Sequence, residues 1–134
     1  VKPDGSVISR SIGFYPLSGV GPFTPSEEGV YINNSDHDFD VSLTTQISVA
    51  NFSSLIQILK SNTPQYNINS FNCTTFAISK LGMIGISIPS TTGSWFMGGG
   101  NNPGALGEDL RIMQLNSNQT RIATRSKAPN IGGC

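Results

Sequence analysis

Polar and apolar positions alternate most clearly between Asp40 and Ser48. Val41, Leu43, Thr45 and Ile47 share one face there, and Ser42, Thr44 and Gln46 share the other. A period of two is that of a half-buried strand. Beyond Ser48 the period changes. Ser48 is suited to cap a helix, and Phe52, Leu55, Ile56 and Leu59 recur at helical spacing, which predicts an amphipathic helix to about Ser61. Thr63-Pro64 closes it, because the residue before a proline is pushed out of the helical region. A second helix is predicted behind Asn72, with Phe76, Ala77, Ile78 and Leu81 as its apolar stripe and Gly82 as its stop. Asn102-Pro103 opens a third, carrying Leu106, Leu110 and Met113. Near the start, Val7, Ile12, Phe14 and Tyr15 predict a first strand closed by Pro16.

The stretches between these elements read as loops. Residues 16–36 are rich in Gly, Pro, Ser and Asn, with a short strand at Val30-Tyr31-Ile32. After an apolar stretch at Ile84, Ile86 and Ile88, residues 89–104 form a second long loop holding Trp95 and Gly98-Gly99-Gly100. From Asn116 the chain is a polar tail, 116–134. The order strand, strand, helix, Cys-bearing helix predicts an α+β fold, a small antiparallel sheet packed against helices. Its 134 residues suit a single domain, 1–134, able to bury about two-thirds of its unfolded surface. Lys2-Pro3-Asp4-Gly5 reads as a turn entering the first strand, so an N-terminal partner strand upstream of Val1 is expected.

Charge narrows the function classes. Eight Lys/Arg balance eight Asp/Glu, so no basic field draws in nucleic acid. No apolar run approaches the roughly 20 residues of a membrane span. Asn, Ser, Thr and Gly take the place of charges, a surface common on secreted or envelope proteins.

The candidate chemistry centres on Cys73. With Asn72 as cap, Cys73 stands in the first turn of a helix, where free N–H groups and the macrodipole favour a thiolate, the reactive form of cysteine. Thiol chemistry calls for an imidazole and a polar group to orient it. His37 is the sole histidine, within Asp36-His37-Asp38-Phe39-Asp40, where Asp38 and Asp40 can orient it. Asn72 and Thr74 beside the cysteine are the further orienting or oxyanion candidates, and Trp95, Gly98 and Gly99 are candidates for a groove. No metal is expected, since one histidine and two distant cysteines make no zinc pattern. No cofactor is expected either, because the triple glycine lacks the Lys and Ser/Thr of a phosphate loop. The alternative is a non-catalytic secreted binding or structural domain, in which Cys73 is buried or paired with Cys134 and His37 is a solvated turn residue.

The stretch Tyr66 through Phe76, centred on Asn72-Cys73-Thr74-Thr75-Phe76, resembles the cysteine motif of the circularly permuted NlpC/P60-like (papain-like) superfamily. The resemblance implies a permuted papain-like arrangement with Cys73 as nucleophile and a histidine earlier in the chain, an order His37 obeys. Family members often carry that histidine in a Gly-His-aromatic strand, which is absent from this chain. The implied activity is hydrolysis of an amide bond in a peptide or peptidoglycan-like substrate, by a bacterial cell-wall amidase, peptidase or toxin domain. The implied setting is secreted or periplasmic, with an upstream segment or an inhibitor or immunity protein as partner. Acyl transfer from a lipid ester is the competing chemistry on the same scaffold.

Overall fold

The computed structural model describes Asp4, Gly5 and residues 7–131. Cys134, Lys2 and Pro3 lie outside the described residues, so the Cys73–Cys134 pairing and half of the expected first turn do too. The fold is α+β, with three helices and small antiparallel sheets among the described residues. β1 (Ile12–Pro16), β2 (Ser26–Asn33) and β5 (Gln65–Asn67) form a three-stranded sheet in the order β1-β2-β5. Four further strands pair in twos: β3 (Asp38–Phe39) with β9 (Ser126–Lys127), and β4 (Ser42–Thr45) with β8 (Gln119–Ile122). β6 (Thr92–Trp95) and β7 (Gly98–Asn101) make a hairpin.

All three helices begin where their caps predict. Ser48 precedes α1 (Val49–Ser61) and accepts from the Asn51 N–H at 3.1 Å. Asn72 precedes α2 (Cys73–Gly82), and Asn102 precedes α3 (Pro103–Ile112) with Pro103 at its first position. Each cap oxygen satisfies N–H groups that the first helical turn leaves unpaired.

The aromatic core joins the sheet to α2. Phe14 of β1 is 2% exposed and stacks on Phe76 of α2 with ring centroids 4.6 Å apart. Tyr66 of β5, Tyr31 of β2 and Phe71 complete the cluster. Gly29 of β2 is required by this packing, because a Cβ there would overlap the Pro64 carbonyl and the Phe14 ring.

The structure corrects several expectations. Residues 16–36 hold an eight-residue strand, β2, where a loop with one short strand is predicted. Its Ser26-Glu27-Glu28 end carries no apolar residue to signal a strand, yet it pairs with β5. The expected strand from Val7 starts at Ile12, and Ser9 contributes only an isolated bridge to Ile131. The predicted polar tail is built in: β8 completes the β4 ladder and β9 the β3 ladder. The predicted loop 89–104 holds the β6–β7 hairpin, so the three glycines belong to a strand.

Candidate functional site

The site is built by a short stretch of local chemistry. After β5 the chain turns back at once, with Asn67 and Phe71 exchanging backbone hydrogen bonds at 3.1 and 2.9 Å. The Asn67 side chain pins this turn by accepting from the Asn69 and Ser70 N–H groups, each at 2.9 Å. Asn72 follows in an extended conformation, and Cys73 is the first residue of α2. Among the described residues its thiol forms no disulfide, and the residue is half-buried.

Asn72 is the hub of this arrangement and is 5% exposed. Its Oδ1 accepts from the Thr74 N–H at 3.1 Å, the Thr75 N–H at 3.0 Å and the Thr75 hydroxyl at 3.3 Å. Its Nδ2 donates to the Ile68 carbonyl at 3.1 Å and the Asn101 carbonyl at 2.7 Å. An asparagine amide has two N–H donors, and both are used. Asn72 therefore has no donor left for a substrate oxygen; it locks the start of α2 to β7. Thr74, the other expected oxyanion candidate, is 4% exposed and lies outside the cysteine pocket.

The pocket beside Cys73 has a volume of about 240 Å³ and is lined by Tyr66, Ile68, Asn72, Cys73, Trp95, Asn101, Asn102 and Pro103. No charged side chain lines it. Trp95 takes the expected groove position, and its Nε1 donates to Asn69 Oδ1 at 3.1 Å. Gly98 and Gly99 serve it indirectly. A Cβ on Gly98 would overlap Asn69 Oδ1 and crowd the Trp95 indole, and one on Gly99 would press on the Gly93 carbonyl. Both α2 and α3 begin at this pocket, with their capping asparagines and first residues in its wall. Neither helix carries an acidic residue in its first turn. The positive ends of two macrodipoles thus meet at this pocket.

Tyr66, which opens the Cys73 motif in the sequence but has no role assigned there, is a further candidate residue. It lines the same pocket as Cys73, and its hydroxyl is near enough to the cysteine for the Cys73 backbone and thiol to act on its ionisation. Burial first, and then the neighbouring cysteine charge, push its pKa above the usual phenol value, so at neutral pH it remains an O–H donor. The only signal was a tyrosine seven residues before the cysteine, in a strand of three residues that is too short to show a period.

His37, Asp38 and Asp40 lie elsewhere. His37 and Asp38 line a separate depression with Ser11, Asn34, Phe39 and Pro129, among others. The His37 carbonyl accepts from the Ala128 N–H at 2.8 Å, part of the junction with β9. Asp38 pairs with Arg125 at 2.8 Å, and that hydrogen bond and charge hold its carboxyl below the ordinary aspartate value. The Asp40 carbonyl accepts from Arg111 Nη2 at 3.0 Å. None of the three lines the Cys73 pocket. Among the described residues no group of three or more His, Cys, Asp or Glu could hold a metal ion, and no helix is long and apolar enough to cross a membrane.

Compared with known proteins, the chain matches no family model, no curated protein and no solved structure.

Proposed function

We propose that the chain is a thiol hydrolase in which Cys73 attacks the carbonyl carbon of an amide bond. The observation that carries this reading is the placement of Cys73: first residue of α2, in no disulfide among the described residues, and in the wall of a pocket that Tyr66 also lines. The likeness of Tyr66 through Phe76 to the permuted NlpC/P60-like cysteine motif supports it, as does the antiparallel α+β architecture.

In the proposed reaction the thiol proton passes to water at the pocket mouth, and a bond forms from Sγ to the carbonyl carbon. The carbonyl π pair moves onto oxygen, which receives both the Tyr66 O–H and the Cys73 N–H. Collapse breaks the C–N bond, and the amine leaves with a proton taken from solvent. Water then hydrolyses the thioester, releasing the acid and restoring the thiol. His37 lines another depression and takes no part in these steps. The walls of Ile68, Trp95 and Pro103 suit an uncharged segment of a peptide. A bacterial cell-wall peptide is the substrate class, in a permuted papain-like enzyme that acts in the envelope or as a secreted toxin held by an immunity protein.

The test is amine release from cell-wall peptide fragments by the wild type and Cys73→Ala. The proposal expects release that the variant abolishes, and equal rates would overturn it. One observation favours a second reading, a binding domain for an apolar peptide side chain: no histidine lines the cysteine pocket. That reading expects the same peptides to bind uncleaved, with Cys73→Ala binding as tightly.

A further inference from the structure

A second cavity, of about 320 Å³, lies between the three helices and β4, away from the aromatic core and from Cys73. Leu43 of β4, Leu55 of α1, Ala77 and Leu81 of α2, and Leu106 and Leu110 of α3 converge on it, and the Ile84–Ile88 segment closes one side. Its only polar side chains are the hydroxyl-bearing Ser42 and Thr45, and it has no charged one. Each of the six apolar residues named is only half-buried. The cavity is therefore partly open to solvent, with the smallest apolar side chain, Ala77, on the α2 wall.

The cleft leaves aliphatic surface in contact with water, and covering such surface is favourable. Water is a poor filler here, because an ordered water needs two to four polar partners and this wall is almost wholly aliphatic. The volume falls in the range of small-molecule sites, which are typically apolar with a few polar groups that fix orientation. At ~30 Å³ for each water-sized atom, it holds about ten heavy atoms.

We infer that this cavity is a binding site for a neutral small molecule with an aliphatic body of about ten heavy atoms and one hydroxyl or carbonyl oxygen. The aliphatic body packs against Leu55, Leu81, Leu106 and Leu110. The oxygen meets Thr45, which shares a face of β4 with Leu43, and the absence of charge in the wall discriminates against carboxylates, which would lose hydration with no partner. The site is independent of the thiol chemistry, since Cys73 does not line it.

The test is titration of the full chain with decan-1-ol, followed by calorimetry and by methyl NMR. Saturable binding of one molecule is expected, with a negative heat-capacity change and shifts at the Ala77, Leu81, Leu106 and Leu110 methyls. Decanoate should bind at least tenfold more weakly. Ala77→Leu fills the space and should raise the melting temperature while weakening decan-1-ol at least tenfold, and Leu55→Phe serves the same end should Ala77→Leu not fold. Non-saturable partitioning, shifts confined to the Phe14 core, or full binding by a folded cavity-filling variant would each overturn the inference.

Discussion

Replacing Asn72 with alanine should be among the most damaging single changes in the chain, although it removes only a small polar side chain. The residue is 5% exposed, and its amide makes five hydrogen bonds, two as donor and three as acceptor. Losing a helix cap costs about 1 kcal/mol. Leaving the Ile68 and Asn101 carbonyls without their donor adds about 1 kcal/mol each. The expected sum is about 3 kcal/mol, or a fall of about 10 °C in melting temperature for a chain of this size. Asn72→Asp separates the two parts. The carboxylate keeps the cap and is favoured at a helix N-terminus, but it cannot donate to β7, so a loss of about 1–2 kcal/mol is expected. Urea unfolding with a common slope measures all three proteins. An alanine variant within about 0.5 kcal/mol of wild type, the range of ordinary surface changes, would refute the view that Asn72 ties α2 to the β6–β7 hairpin.

Three further outcomes follow from the same geometry. Gly29→Ala should destabilise by about 2–3 kcal/mol in urea unfolding, because the added methyl meets the Pro64 carbonyl and the Phe14 ring; an unchanged midpoint would contradict the packing. Tyr66→Phe should leave the fold intact yet slow acylation of Cys73 about 100-fold, the cost of one oxyanion donor, and an unchanged rate would remove Tyr66 from the mechanism. Asp38 should titrate below ordinary aspartates by NMR, and Arg125→Ala should raise its midpoint. The sign follows from the lowered folded-state value: the pair's contribution to stability is present above the unfolded-state value and is lost as pH falls through the folded one.

The helices were legible in the sequence because each is announced twice, by a capping residue and by apolar side chains at helical spacing. Ser48, Asn72 and Asn102-Pro103 mark starts that the structure reproduces. The strands were less legible for a physical reason. β3, β5 and β9 span two or three residues, which is too few for alternation to register, and their pairing partners are distant in sequence. Thr92-Gly93-Ser94-Trp95 and Gly98-Gly99-Gly100-Asn101 have the composition of a loop, yet pair throughout. Their glycines answer to close approach: Cβ atoms at Gly98 and Gly100 would strike Asn69. At the site, Cys73 and Trp95 could be picked out by residue type, and the structure brings them to one pocket. Tyr66 could not, since its role depends on the sharp turn through Asn67–Phe71 that folds β5 back against the start of α2.

The central claim, that Cys73 is a nucleophile in a site shaped for a carbonyl, is tested most directly by trapping the thioester. The full chain would be mixed with a short peptide ester that acylates faster than it is hydrolysed. Intact-mass spectrometry and peptide mapping would then locate the added group. The account predicts one acyl group per chain, on the peptide that contains Cys73, and none in Cys73→Ala. Acylation confined to Cys134, or none above the level of the unfolded chain, would contradict it.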